Sequence, residues 1–102
     1  MIIERNEFHL KFGKAKEALE IWTQICEKFK KGSKDHTRMR VMTDMTGDAY
    51  VLVVELELRD LVHIGFKNYE WMTNDEAHAL YARFVPLCDS SKRTLYKLEC
   101  DY

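Results

Sequence analysis

Two segments that alternate apolar and polar residues, Thr37 to Met45 and Tyr50 to Leu58, stand on either side of Gly47-Asp48. Glycine supplies the positive φ of a tight turn, so the two segments read as a β-hairpin. With a two-residue turn at Gly47-Asp48, Met45 faces Tyr50, Val41 faces Val54 and Met39 faces Leu56. On the opposite side Met42 faces Val53, Arg40 faces Glu55 and Arg38 faces Glu57. Apolar meets apolar and arginine meets glutamate on these rungs, which stabilises the pairing. A slip of one residue would turn every side chain to the wrong face, so turn and register specify each other.

The rest of the chain falls into place around this hairpin. Phe8, Leu10 and Phe12 alternate with Glu7, His9 and Lys11, the pattern of a half-buried strand, which Gly13 ends. From Lys14 to Lys31 the period becomes helical, with Ala15, Ala18, Leu19, Trp22, Ile25, Cys26 and Phe29 on one stripe. Lys28, Lys30 and Lys31 suit the negative end of the helix dipole, and Gly32 is a good stop. Beyond the hairpin, Asp60 caps a short helix through Met72 that Gly65 interrupts. Thr73-x-x-Glu76 is a capping box ahead of Ala77, Leu80, Tyr81, Phe84 and Cys88, and Pro86 ends or kinks that helix. A last strand, about Thr94 to Cys100, puts Tyr96, Leu98 and Cys100 on one face and Leu95, Lys97 and Glu99 on the other.

Strand, helix, strand, strand, helix, strand is the split βαβ order. It predicts an α+β, ferredoxin-like domain over residues 1–102, with a four-stranded antiparallel sheet and both helices on one face. The uncovered face then carries Ile3, Met42, Val51, Val53 and Leu95 among many charges. A mixed face of that size is expected to meet a partner, a ligand or both.

Composition narrows the function classes. An apolar content of 46% with 32% charged residues fits a folded soluble chain rather than a disordered one. Sixteen basic against seventeen acidic residues leave a net charge of −1, so there is no bulk attraction to nucleic acid or anionic membrane. The apolar run Ala49 to Val54 is too short to span a bilayer, and the acidic start lacks the pattern of a signal peptide. The cytoplasm is the default. Cys26, Cys88 and Cys100 are odd in number and each falls on an apolar stripe, which points to buried free thiols. The four glycines are isolated, there is no G-x-S-x-G, and His9, His36, His63 and His78 include no i, i+4 pair. No cofactor and no metal site are expected.

The residues Ile2-Ile3-Glu4-Arg5, Gly13-Lys14, Val53 to Leu61 and Arg93-Thr94-Leu95-Tyr96-Lys97, in this order of elements, resemble the dimeric α/β-barrel superfamily, and within it NIPSNAP-type domains. The likeness is one of pattern over nearly the whole chain. It implies a homodimer in which two open sheets pack into a barrel around a small-molecule cavity. Some members of the superfamily are cofactor-independent monooxygenases, and some bind haem.

Against that background His9 is the foremost candidate for chemistry. It lies beside Glu7 and Lys11 on the face that would look into the barrel, where an imidazole can act as general base. A solvated strand histidine paired with a neighbouring carboxylate is the plain structural alternative. Arg38, Arg40, Glu55 and Glu57 are candidates for anchoring a carboxylate or phenolate, and equally explicable as cross-strand pairs. Trp71, with Tyr69, is placed to line a pocket mouth or to pack at its rim. Two functions remain: a NIPSNAP-like homodimer that binds a small molecule or serves structurally, or a cofactor-independent monooxygenase or isomerase acting on an aromatic or enolisable substrate. The enzyme would use His9 as base and Arg38 and Arg40 as oxyanion holders. RNA binding on the open sheet fails, because Glu55 and Glu57 would repel phosphate and the aromatic RNA-binding motif is missing.

Overall fold

A computed structural model describes residues 1–32, 36–59 and 75–102. In chain order the elements are β1 (Ile2–Leu10), α1 (Ala15–Gly32), β2 (His36–Thr43), β3 (Val51–Leu58), α2 (Asp75–Phe84) and β4 (Cys88–Lys97). The strands form one antiparallel sheet in the order β2-β3-β1-β4, the ferredoxin-like α+β arrangement expected. The expected helix from Asp60 to Met72 and the capping residue Thr73 lie outside the described residues, as do His63, Tyr69 and Trp71.

One sheet face is packed under α1 and α2. From β1 it takes Phe8 and Leu10, from β3 Leu52, Val54, Leu56 and Leu58. The helices contribute Ala18, Ile21, Trp22 and Ile25 of α1 and Ala77, Leu80 and Phe84 of α2. An aromatic cluster joins the layers: the rings of Phe8 and Phe84 meet edge to face at 4.8 Å, and Trp22 lies 5.4 Å from Phe84. Lys28 and Glu76 form an ion pair between the two helices.

The hairpin register holds: Arg38 lies opposite Glu57, Met39 opposite Leu56, Arg40 opposite Glu55, Val41 opposite Val54 and Met42 opposite Val53. Its turn is wider than two residues. The ladder stops at Thr43 and Leu52, and Met45 and Tyr50 belong to the loop. Asp44 takes over the closing role by accepting a hydrogen bond from the Val51 N–H at 3.0 Å. Gly47 has the expected positive φ of 118°, and Ala49 and Tyr50 are also left-handed at 60° and 58°.

Several faces differ from expectation. Ile21 is buried in α1 while Leu19 lies on the flank, because the core-facing row is 18, 21, 22, 25. Phe12 lies beyond the end of β1 and is exposed, its ring against Tyr50. The core side of β1 carries two polar residues, Glu4 and Asn6, joined to each other at 3.3 Å. β4 begins at Cys88, six residues early, because Pro86 closes α2 into a 3₁₀ turn that delivers the chain straight to the sheet edge. Leu95 pairs with Glu4 and therefore faces the helices, whereas Tyr96 pairs with Ile3 on the open face. Cys100 is exposed, and Cys26 and Cys88 are half-buried free thiols.

Candidate functional site

The open face is laid out in four rows by the pairing of the strands. Taken from β2 through β3 and β1 to β4, the first row is Arg38, Glu57, Ile3, Tyr96 and the second is Arg40, Glu55, Arg5, Thr94. The third is Met42, Val53, Glu7, Lys92, and the fourth holds Val51, His9 and Ser90. Charge is densest in the second row, and apolar residues flank it in the first row and in the third.

The second row is tied together by arginine. Arg5 donates from Nη1 to Oε2 of Glu55 at 2.6 Å and from Nε to Oε1 of Glu7 at 3.1 Å. Arg40 donates to the other oxygen of Glu55. Burial pushes the Glu55 carboxyl up, but the hydrogen bonds from Arg40 and Arg5 outweigh it and hold the group below its ordinary range. The chain Arg40–Glu55–Arg5–Glu7 balances two cations against two anions across three strands.

Next to this chain the fourth row opens into a hollow of about 340 Å³. Met42, Val51 and Val53 supply its apolar wall, and Arg5, Glu7, His9, Thr43, Asp44, Thr46 and Asp48 its polar one. The sequence candidates divide here. His9 lines the hollow, half-buried, and among the described residues its ring makes no side-chain hydrogen bond or ion pair. Arg38, Arg40, Glu55 and Glu57 do not line it. Two rows and two strands separate Arg40 from His9, about 17 Å of backbone distance at ordinary strand spacings. Trp71 lies outside the described residues.

The residues that accompany His9 are instead Arg5, Glu7 and the loop acids Asp44 and Asp48. The alternation of β1 carried the signal for Arg5 and Glu7, since positions 5, 7 and 9 share a face. Nothing in the sequence pattern alone brings the loop acids there. A larger hollow of about 570 Å³ lies across the hairpin loop, between Leu10, Ala15, Leu19, Met45 and Tyr50. Its wall holds Lys16 and Asp44 but no histidine or cysteine, so the smaller one carries the better equipped chemistry.

Among the described residues no three His, Cys, Asp or Glu side chains are grouped to hold a metal ion, and no helix is long and apolar enough to cross a membrane.

No protein-family model matches the chain, and neither does any curated protein sequence. Solved structures do. The chain is similar to an uncharacterized NIPSNAP domain protein from Burkholderia xenovorans, with 18% identity, all of both chains covered and a TM-score of 0.79. It is similar to an antibiotic biosynthesis monooxygenase at 12% identity, covering 98% of this chain and 100% of that one, with a TM-score of 0.78. SnoaB, a cofactor-independent oxygenase from Streptomyces nogalater, matches at 14% identity over 98% of this chain and 94% of its own, with a TM-score of 0.72. At these identities the likeness is one of fold. It bears out the α+β, ferredoxin-like reading and the resemblance to proteins of the NIPSNAP and monooxygenase kinds.

Proposed function

We propose that this chain is a cytoplasmic homodimer of one domain per subunit, in which two open sheet faces pack together and the hollow at His9 holds a small organic molecule. One observation carries the reading. The face opposite the helices combines Ile3, Met42, Val53 and Tyr96 with an internally neutralised charge chain, and it ends in a hollow lined by a histidine. Val53 is buried although no described element covers it, and Met42 beside it and Tyr96 at the other end of the face are exposed. Apolar surface of that kind gains free energy when a second surface excludes its water. Pairing with a copy of itself is the commonest closed solution for such a face. Three free cysteines suit a reducing compartment. Native mass spectrometry of the purified protein tests the reading, with two chains, with or without retained ligand mass, as the expected particle. A single-chain particle at working concentration would overturn it.

A second reading has a specific observation in its favour: His9 in the hollow has an imidazole uncommitted to any described side chain. In that reading the hollow performs a cofactor-independent oxygenation or isomerisation, as the names of two similar structures suggest, with His9 taking a proton from an acidic C–H or O–H. Arg38 and Arg40 would have no part in it, being distant from His9 and, for Arg40, already paired. Turnover of an enolisable aromatic under oxygen that vanishes in His9→Ala would establish this reading over simple binding.

A further inference from the structure

We propose that the hollow beside His9 is built for a small organic cation, an ammonium or amidinium on an apolar body, rather than for an anion; this rests on the reading of the hollow as a ligand site.

The argument is a count of charges at its wall. Arg5 is the one arginine there, and its charge is shared between Glu7, on Nε, and Glu55, on Nη1. Glu55 is shared in turn with Arg40, so the chain of four is neutral and brings no net positive charge to the wall. Lys92 stands opposite Glu7 on β4 but is not part of the wall. What remains are the loop carboxylates. Asp44 keeps one oxygen on the Val51 N–H, which leaves its charge in place. Asp48 stands beside it in the same wall. The His9 ring on the same wall adds nitrogen atoms for hydrogen bonding. Two carboxylates over a wall of Met42, Val51 and Val53 favour a group that donates hydrogen bonds and carries positive charge, with carbon behind it. An anion would meet two like charges and an arginine already engaged. The expectation of a carboxylate or phenolate held by arginine is thereby reversed.

The test uses a matched pair of probes, phenethylammonium and 3-phenylpropionate, titrated at low salt while NMR shifts of the His9 ring and the Met42 methyl are followed. Phenethylammonium is expected to move both signals saturably and to bind about tenfold more tightly than 3-phenylpropionate, a ratio that one or two carboxylates near the surface can supply. Asp48→Asn, on the exposed loop, is expected to bring that ratio down severalfold and leave the fold intact. Tighter binding of 3-phenylpropionate would overturn the inference while leaving the hollow as a ligand site. A ratio unchanged in Asp48→Asn would overturn the role given to the loop acids. No movement with either probe would remove the ligand site itself, and the inference with it.

Discussion

Arg5 and Glu55 face each other across the β1–β3 ladder with Nη1 2.6 Å from Oε2, and this contact joins the Arg40–Glu55 pair to the Arg5–Glu7 pair. It makes Glu55 the shared acceptor of arginines from two neighbouring strands, with Arg40 on its far side. The side chain of Glu55 is only 14% exposed, so its partners matter more than those of a surface carboxylate.

Reversing the outer charge should therefore be felt. Arg40→Glu places two carboxylates on one rung and is expected to lower stability by about 1 kcal/mol. In a domain of this size that corresponds to a fall in Tm of roughly 4–8 °C. Thermal unfolding by circular dichroism measures it, and an unchanged Tm would contradict the register of β2 on β3.

Acid should expose the same contact. The Glu55 carboxyl is held below its ordinary range in the folded state, so its pairing stabilises the fold fully above the unfolded carboxylate range. That contribution is lost as pH falls through the depressed folded value. Glu55→Gln is expected to be less stable than the parent at neutral pH and to lose less on acidification. Denaturant unfolding at a series of pH values reads both slopes, and parallel curves would contradict the assignment.

The core centres on Phe84, fully buried against Phe8 and Trp22. Phe84→Ala removes the ring that locks α2 to the sheet, with an expected loss of about 3–5 kcal/mol. Since a small domain has little more than that in hand, the variant is expected to be largely unfolded at 37 °C. A cooperative transition near the parent Tm would show that α2 is held elsewhere.

The three thiols should differ in reactivity. Burial pushes Cys88 up to about 11 and raises Cys26 as well, while Cys100 is exposed. About a hundredfold less thiolate at Cys88 at neutral pH makes it slow toward an alkylating reagent. Peptide mapping after a short maleimide pulse should find Cys100 labelled first and Cys88 protected until the protein unfolds. Equal labelling would contradict the packing of β4 against Phe84.

Much of this architecture is legible in the residues, and the exceptions have physical causes. Arg38, Arg40, Glu55 and Glu57 specify the β2–β3 register because a one-residue slip of β2 would turn both arginines to the core and away from the glutamates. His9 is placed on the open face by alternation alone. The hairpin loop is less readable, since Asp44 closes the ladder through a side chain and Ala49 and Tyr50 adopt a conformation that residues other than glycine seldom take. β4 hides because it stands at the edge of the sheet among the described residues and its residues from Asp89 to Arg93 are exposed, which removes the apolar alternation that marks a strand. Glu4 and Asn6 break the pattern of β1 by burying polar groups against each other. The alternation of β1 also groups His9 with Arg5 and Glu7, but the arrival of Asp44 and Asp48 depends on where the hairpin loop lies, and spacing in one dimension does not encode that.

Coverage of the open face by a second copy is the claim on which the functional reading stands. Sedimentation velocity on the parent and on Met42→Glu tests it most directly, because Met42 is exposed beside Val53 on that face and its replacement leaves the core untouched. The parent is expected to sediment as two chains and Met42→Glu as one, with the same far-ultraviolet circular dichroism. A parent that sediments as a single chain, or a variant that dimerises as tightly as the parent, would contradict it.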